Sequence, residues 1–379
     1  MRSSVPHILH VAQPVEGGVA RVVTDLATAQ LAEGLRVTVA CPEGGTLADT
    51  LRGPDCTVLR WDATRSPGYR LPGEVRLLAR LVDEVQPDLV HAHSAKAGLA
   101  ARLAVRGRLP TVFQPHAWSF EAANGVVAHL ARGWERLGAR WATRVLCVSE
   151  AERRTGERRG ITAAWRVVPN GVDTQRFRPD GARARSGTRP LVVCVGRLCR
   201  QKGQDVLLAA WPEVARQVTG ARLVLVGDGP DADRLRSGAP ASVEFAGATS
   251  DAAPWYRAAD VVVLPSRWEG MALAPLEAMA CGRPVVVTDV AGARESLPPG
   301  RPPSCLVPPE NPGALARALT ALLGDEPLRT ALGARGRAHV LAAHDLRRVT
   351  DAVTDVYREL LGFATTPVVT DGGRKCITP

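Results

Sequence analysis

Short apolar runs alternate with amphipathic segments along most of the chain. In the first half, helical spacing of apolar residues predicts helices over 19–32 and 74–85. The apolar runs there predict strands over 7–11, 35–41, 89–93, 111–114, 144–148 and 166–168. Short buried strands separated by helices are typical of a parallel, doubly wound sheet.

The same alternation restarts after a polar, turn-rich stretch over 177–190, which has the composition of a linker. Strands are predicted over 191–195, 222–226, 243–245, 261–264 and 284–288, and helices over 205–218, 273–280 and 347–361. We therefore expect two Rossmann-like α/β domains that face a cleft. The predicted boundaries are 1–178 for the N-terminal domain, 179–345 for the C-terminal domain, 346–364 for a helix packing back on the first domain, and 365–379 for a flexible tail.

The composition excludes several classes of protein. With 45% hydrophobic and 23% charged residues among 379, the chain falls in the globular range. No apolar run is long enough for a membrane helix, and the first residues contain no apolar signal segment. The eight cysteines form no C-x-x-C pair, and His91 and His93 have no carboxylate or cysteine beside them in sequence. We expect a soluble cytoplasmic protein with reduced thiols and no metal site.

The basic residues are almost all arginines, because only Lys96, Lys202 and Lys375 among the 48 are lysines. A net charge of +10 is compatible with nucleic acid, anionic lipid or phosphorylated small molecules as partners. An aromatic content of 4% offers no stacking platform for single-stranded nucleic acid, so we expect no nucleic-acid partner.

The stretch 129–144 predicts a basic amphipathic helix. Arginines recur every four residues at Arg132, Arg136, Arg140 and Arg144, and another face carries Leu130, Trp134, Leu137 and Trp141. Such a helix can lie on an anionic membrane surface. In the alternative interpretation, the tryptophans pack into the domain and the arginines are solvated.

Candidate chemistry follows the predicted strands of the second half. Arg197 and Lys202 flank a loop between a strand and a helix, where two cations near a helix N-terminus suit a diphosphate. Glu269 precedes the helix predicted over 273–280, and Glu277 lies within it. The backbone N–H groups of Gly270, Met271 and Ala272 would be free for an anion, and Glu277 could bind a ribose diol.

Together these features resemble the retaining glycosyltransferases of family 4, which have the GT-B fold. The resemblance covers nearly the whole chain and rests on the segments 16–20, 90–98, 114–118, 148–150, 168–173, 197–202, 226–230, 265–277 and 291–295. One departure concerns Ala291-Gly292, where the family has two glycines before a late acidic residue. The role of Glu295 is therefore left open.

The resemblance implies a role for each matching residue in donor binding. Arg197 and Lys202 would bind the nucleotide diphosphate, and Glu277 the ribose. Glu269 would hold the donor sugar together with the backbone of Gly270, Met271, Ala272 and Leu273. Gly18 would bring a first-domain N–H group to the phosphate, a position that only a residue without a side chain permits. His116, Arg197, Lys202 and Glu269 would be the catalytic residues.

The implied reaction moves a hexose or N-acetylhexosamine from a nucleotide-diphosphate sugar, UDP-linked first and GDP-mannose second. No cofactor and no metal are expected. The acceptor would be an exopolysaccharide, an envelope glycan or a lipid-linked sugar at the inner face of the plasma membrane, with a small specialised metabolite as the alternative. Retention would follow front-face attack, with a double displacement through a carboxylate as its rival.

Three other classes remain to be separated from this interpretation. A nucleotide-sugar epimerase could share the architecture, whereas a phosphorylase would need a lysine for pyridoxal phosphate. A dinucleotide oxidoreductase is disfavoured because the first glycine turn lacks G-x-G-x-x-G.

Overall fold

Two fully parallel sheets, one in each half of the chain, form the framework of the protein in a computed structural model. The structure describes residues 5–185, 187 and 189–363, so the tail predicted over 365–379 lies outside the described residues. The two sheets confirm the predicted fold class of two doubly wound α/β domains. We call these units the first lobe and the second lobe.

The first-lobe sheet has seven strands in the order β3-β2-β1-β4-β5-β6-β7. Its strands are β1 His7–Ala12, β2 Arg36–Cys41, β3 Thr57–Arg60, β4 Leu89–His93, β5 Thr111–Gln114, β6 Arg144–Cys147 and β7 Trp165–Val167. In the register, Ile8 pairs with Val37 on one side and with Leu89 on the other. The central strands are buried on both faces, which explains why they are continuously apolar.

Helices cover both faces of this sheet. They are α1 Gly17–Ala32, α2 Gly45–Leu51, α3 Leu71–Val85, α4 Ser94–Val105, α5 Gly125–Gly138 and α6 Glu150–Arg158. Leu78 and Val82 of α3 pack with the alanines of α4 on one face, and Val23 and Ala27 of α1 pack on the other.

The second-lobe sheet has six strands in the order β10-β9-β8-β11-β12-β13. These are β8 Leu191–Val195, β9 Arg222–Val226, β10 Val243–Gly247, β11 Val261–Leu264, β12 Val285–Thr288 and β13 Leu306–Val307. The helices are α7 Gln204–Gln217, α8 Ala232–Ser237, α9 Ala253–Ala258, α10 Leu273–Ala280, α11 Ala293–Ser296, α12 Pro312–Leu323 and α13 Glu326–Ala343. One continuous core joins them, with Trp211, Leu276 and Leu319 fully buried.

The last helix, α14 (Leu346–Leu361), packs on the first lobe although it follows the second in sequence. Its Val353, Val356 and Tyr357 pack with Ile8 and Leu26 in one buried cluster. The side chain of Asp345 accepts a hydrogen bond from the Arg347 N–H and caps the helix.

The helix predicted over 129–144 is wrong at both ends. Helix α5 begins at Gly125 and ends at Gly138, and a short 3₁₀ turn follows at Ala139–Trp141. Arg144 opens β6, where it pairs with Val112, so it lies on no helical stripe. The arginines recur every four residues, which suggested one helix, but this spacing continues past the end of α5 and into β6.

In each sheet the strand order reverses at one point, between β1 and β4 and between β8 and β11. Crevices at the carboxyl ends of strands beside such points are where open α/β sheets bind ligands. No helix in the described residues is long and apolar enough to cross a membrane.

Candidate active site

The candidate residues follow strands at or beside the two reversal points. Gly18 follows β1 and His116 follows β5 in the first lobe. Arg197 and Lys202 follow β8, and Glu269 follows β11, in the second lobe. These positions lie at the carboxyl ends of their strands, as the parallel topology requires.

Lys202 and Glu269 form an ion pair, with Nζ 2.5 Å from Oε1. Ser266 donates its hydroxyl to the same Oε1 at 2.7 Å, and Glu269 is only 8% exposed. Oε2 of Glu269 has no hydrogen-bond partner within the part of the chain that the structure describes. The pair therefore presents one carboxylate oxygen and a partly exposed ammonium group to the cleft.

The loops that carry this pair are fastened to each other. Gly203, between Lys202 and α7, has φ +66°, and a Cβ there would lie 2.1 Å from the Pro265 carbonyl oxygen. Only glycine allows this approach. Arg267 binds both oxygens of Asp205 at 2.9 and 2.8 Å, and its pKa is raised mainly by that contact. The bidentate pair holds the β11 loop on the first turn of α7.

Arg197 lies in the same β8 loop, is exposed, and forms no ion pair with any described residue. Across the cleft is Arg65 of the first lobe, whose pKa is lowered by burial and by the Arg197 guanidinium. The Arg65 loop is ordered by buried Glu74, which binds the Thr64 N–H at 2.8 Å and pairs with Lys96 at 2.5 Å. The charges of Arg65 and Arg197 are close enough to repel each other, and a bound phosphate would relieve that repulsion.

The backbone entering α10 is held by its carbonyl groups. Ser149 donates its hydroxyl to the Gly270 carbonyl at 3.1 Å, and the Asn170 amide donates to the Met271 carbonyl at 2.7 Å. Among the described residues, the N–H groups of Gly270, Met271 and Ala272 donate no hydrogen bond. Both anchors come from the first lobe, so the backbone of residues 270–272, which we call the α10 entry loop, is positioned by contact between the lobes.

Glu277 has different partners from Glu269. The Tyr256 hydroxyl donates to its Oε2 at 2.7 Å. Burial raises the pKa of Glu277, whereas that hydrogen bond and the charges of Arg21 and Arg176 act in the opposite direction. Glu277 therefore lies inside α10, which begins just after residues 270–272, and outside the Lys202–Glu269 contact.

Gly18 faces α10 across the cleft. A Cβ at Gly18 would meet only Leu273 Cδ1, at 3.9 Å, which is an ordinary contact. The protein atoms alone leave room for a side chain there. The expected need for a glycine concerns the approach to a bound phosphate, so it stays a prediction.

His116 and Ala117 have positive φ angles, +57° and +105°, which non-glycine residues rarely adopt. Buried Glu152 holds this turn, since its two oxygens accept the N–H groups of Ala117 at 2.6 Å and Val148 at 2.8 Å. Burial raises the pKa of Glu152 to about 7. A Cβ at Gly270 would lie 3.0 Å from the Ala117 nitrogen, so the His116 turn directly abuts the α10 entry loop.

Three buried histidines, His10, His91 and His93, place ring nitrogens within 4.8 Å of one another. Sequence reasoning missed His10, which lies in an apolar strand. Both ring nitrogens of His10 are already hydrogen-bonded, Nδ1 to His93 and Nε2 to Gln30. A metal ion could bind His10 only by displacing one of those bonds.

Glu295, whose role the sequence left open, joins the two lobes. Its carboxylate accepts the backbone N–H groups of Glu150 and Ala151 at 2.7 and 2.8 Å. A carboxylate at the first turn of α6 satisfies two free donors and complements the helix dipole. No local pattern could have found this contact, because the partners are 144 and 145 residues apart.

Family models match both lobes. The model described as Glycosyltransferase Family 4 matches residues 16–176, and Glycosyl transferases group 1 matches residues 189–325. A GDP-mannose-dependent alpha-(1-6)-phosphatidylinositol monomannoside mannosyltransferase of Mycobacterium tuberculosis is 34% identical over 320 residues, 74% of this chain and 81% of that protein. The chain therefore belongs to glycosyltransferase family 4, and it is a glycosyltransferase.

Other relatives and solved structures agree with this membership. A D-inositol 3-phosphate glycosyltransferase of Streptomyces bingchenggensis is 33% identical over 72% of this chain and 67% of its own length. Among solved structures, sucrose-phosphate synthase of Thermosynechococcus elongatus has a TM-score of 0.81 at 24% identity, covering 94% and 99%. Anabaena Alr3699/HepE in complex with UDP and glucose has a TM-score of 0.78 at 22% identity, covering 92% and 98%. At these identities the structures show the shared GT-B fold.

Proposed function

We propose that the protein transfers a mannosyl group from GDP-mannose, with retention of configuration, to a lipid-linked or envelope glycan acceptor. The observation that carries the proposal is the Lys202–Glu269 ion pair next to the undonated N–H groups of residues 270–272. This arrangement offers a cation, a hydrogen-bonding carboxylate and a helix entrance to one sugar diphosphate.

The reaction breaks the bond between the anomeric carbon and the β-phosphate oxygen. Negative charge then grows on the departing diphosphate, and fixed positive groups lower the barrier most where that charge develops. Lys202, Arg197 and the N–H groups of residues 270–272 are those groups in this proposal. Arg65 would reach the same phosphates from the first lobe. These side chains supply charge that a metal ion provides in other transferases, so no metal-dependent step is proposed.

Retention would follow from attack on the face that the diphosphate leaves. In that path, a phosphate oxygen takes the proton of the acceptor hydroxyl while the new glycosidic bond forms. Glu269 is the rival nucleophile. Its Oε1 accepts bonds from Lys202 and Ser266, which fixes the carboxylate and leaves Oε2 to accept from a sugar hydroxyl. We therefore assign Glu269 to binding sugar hydroxyls and keep His116 as the first-lobe group beside the sugar.

The choice of GDP-mannose rests on the curated relatives. The mycobacterial relative is named as GDP-mannose-dependent, and a Rhizobium meliloti relative, 34% identical over 227 residues, is named as a mannosyltransferase of lipopolysaccharide core biosynthesis. A UDP-sugar, favoured from the sequence, becomes the competing donor. The same names favour a lipid-linked acceptor over a small metabolite.

The donor test measures nucleotide release from GDP-mannose, UDP-glucose and UDP-N-acetylglucosamine, with and without a phosphatidylinositol monomannoside in detergent. We expect lipid-stimulated release of GDP and a product of one added hexose, with the α-linkage checked by NMR. Release of UDP alone would replace the donor, and stimulation only by a small soluble alcohol would replace the acceptor. If no sugar nucleotide is turned over, the proposed function is wrong.

Helix α5 supplies the proposed contact with the membrane of the acceptor. Val126, Val127, Leu130 and Leu137 are 75, 63, 69 and 45% exposed, so an apolar stripe faces solvent. Trp134 packs inward against Arg102, and Arg102 forms a fully buried pair with Glu135. The stripe is flanked by Arg132, Arg136 and Arg140, none of which forms an ion pair with a described residue. Apolar and cationic side chains together suit an anionic bilayer surface.

Co-sedimentation with vesicles tests this contact without any assay of activity. We expect binding to vesicles of phosphatidylglycerol and phosphatidylcholine at low salt, and loss of binding in a Leu130→Ser, Leu137→Ser double variant. Leu341→Ser is a matched control, because Leu341 is 45% exposed on a distant helix. Binding that survives the double variant, or that is absent in the wild type, would contradict the membrane assignment.

A further inference from the structure

A chain of side-chain hydrogen bonds runs from the interior of the first lobe to His116. Gln30 Oε1 lies 2.8 Å from His10 Nε2, and His10 Nδ1 lies 2.9 Å from His93 Nε2. His93 Nδ1 lies 3.3 Å from His116 Nε2. Gln30, His10 and His93 are fully buried, so these bonds are shielded from bulk water.

Gln30 sets the direction of donation along this series of hydrogen bonds. An amide oxygen can only accept, so His10 must carry its proton on Nε2 and leave Nδ1 as an acceptor. The amide nitrogen of Gln30 is buried and has no hydrogen-bond partner among the described residues, so the amide is held through its oxygen, by the contact with His10 Nε2.

The protonated nitrogen of each following ring is then determined by the ring before it. Burial lowers the pKa of His10 to about 4 and that of His116 to about 3, and it also lowers the pKa of His93. A neutral imidazole has one donor and one acceptor nitrogen. His93 therefore donates from Nε2 to His10 and accepts at Nδ1 from His116 Nε2–H.

We propose that Gln30, His10 and His93 are positioning residues that hold His116 as its Nε2–H tautomer, with Nδ1 as a hydrogen-bond acceptor for a hydroxyl group in the cleft. Nδ1 of His116 has no hydrogen-bond partner within the described chain. The turn carrying His116 abuts Gly270 of the α10 entry loop. That the hydroxyl belongs to a sugar substrate rests on the proposed glycosyl transfer; the tautomer does not.

The tautomer can be measured on the full-length protein labelled with [¹⁵N]histidine, which contains eight histidines. Long-range ¹⁵N–¹H correlation distinguishes protonated from unprotonated ring nitrogens, and a His116→Asn variant assigns the signals. We expect His116 to show a protonated Nε2 and an unprotonated Nδ1. A protonated Nδ1, a charged ring or an even mixture of tautomers at pH 7 would overturn the proposal.

Variants test whether Gln30 sets the tautomer. Gln30→Met removes the acceptor at similar volume, and we expect mixed tautomers at His116, which is separated from Gln30 by two hydrogen-bonded rings. Gln30→Glu restores an acceptor oxygen and should restore the Nε2–H form. Thr38→Val, which removes the partner of His7 Nε2 in the same sheet, is the control and should leave His116 unchanged. An unaltered His116 in folded Gln30→Met would contradict the positioning role, and if that variant does not fold, the wild-type spectrum still decides the tautomer.

Kinetics give a separate readout. With a confirmed donor, Gln30→Met should lower kcat about tenfold with little change in the KM for the donor, and Gln30→Glu should recover most of it. If no sugar nucleotide is turned over, the proposed function fails while the spectra still decide the tautomer. A raised donor KM at unchanged kcat would contradict a role through His116.

Discussion

The two sides of the cleft use different chemistry. The second-lobe side presents formal charges at its surface, namely exposed Arg197 and the partly exposed Lys202–Glu269 pair. Much of the first-lobe side is built from buried titratable groups. Burial lowers the pKa of His116 to about 3 and raises that of Glu152 to about 7, so burial shifts both groups towards their neutral forms.

The difference indicates a division of labour. Mobile solvent weakens a charge at the surface, but a diphosphate that displaces this solvent would meet Lys202 and Arg197 at full strength. Neutral buried groups cannot stabilise a growing charge in that way, but they can hold a hydroxyl in one orientation. We infer that the second lobe stabilises the leaving group and that the first lobe orients the sugars.

The largest expected effect is on the charged side. Lys202→Ala should lower kcat at least a hundredfold, about 3 kcal/mol, because it removes a preorganised cation from the departing diphosphate. The measurement is steady-state release of GDP with the donor identified above.

Arg200→Ala is the matched control for Lys202→Ala. Arg200 lies in the same 3₁₀ turn, and its guanidinium rests over the Trp268 ring. We expect less than a twofold change. Equal losses in the two variants would mean that the turn, rather than the Lys202 ammonium, was disturbed, and near-wild-type kinetics of Lys202→Ala would remove its assignment.

The second largest expected effect is a pH-dependent change in stability that is caused by buried Glu152 of the first lobe. Because the pKa of Glu152 is raised to about 7 in the folded state, the native protein holds a proton there that the unfolded chain has lost above pH 4.5. Its contribution to stability is present below pH 4.5 and is lost as pH rises towards 7. Relative to Glu152→Gln, the wild type should lose up to about 3 kcal/mol of unfolding free energy over this range.

Urea denaturation at pH 4.5, 6 and 7.5 measures this difference. Glu213→Gln is the control, since the contact with Arg216 lowers the pKa of Glu213 to about 2, below the range tested. Its difference from the wild type should stay constant between pH 4.5 and 7.5. A constant difference for Glu152→Gln as well would show that the two sides of the cleft do not differ as described.

The fold was largely predictable because apolar runs and glycine turns act locally. Helix α10, Leu273–Ala280, has the predicted bounds, whereas the strand Thr57–Arg60 was missed because its exposed ends are polar. The candidate residues of both lobes could be proposed from the sequence because parallel strands bring their carboxyl ends to one edge of the sheet. The roles of Gln30, Arg65 and Glu295 could not be predicted, because they depend on contacts that only the tertiary structure creates.

Arg65 tests whether the charged groups belong to the second lobe alone. It lies in the first lobe, but we propose that it binds the diphosphate as Arg197 and Lys202 of the second lobe do. Removing it relieves its repulsion with Arg197, so Arg65→Ala should be at least as thermally stable as the wild type without ligand. It should nevertheless bind GDP about tenfold more weakly, by loss of a charged hydrogen bond. Isothermal titration calorimetry measures the affinity for GDP, and thermal unfolding measures the stability without ligand. The control is Arg70→Ala, since Arg70 is exposed.

If Arg65→Ala binds GDP as tightly as the wild type, Arg65 does not reach the phosphates. A loss of stability without ligand would instead mean that the side chain supports its own loop. Either result would restrict the charged half of the site to the second lobe.

The smallest expected effect tests the contact that joins the sides. Glu295→Gln keeps one acceptor for the α6 N–H groups but loses the negative charge at that helix terminus, at a cost of about 1 kcal/mol. Since this contact crosses between the lobes, we expect a larger radius of gyration by X-ray scattering and a three- to sixfold loss in kcat/KM. Glu150→Gln removes a charge from the same terminus without crossing the cleft, so it should lower helix stability alone. Equal changes in scattering for both variants would show that Glu295 stabilises α6 rather than the contact between the lobes, which would then rest on the α10 entry loop.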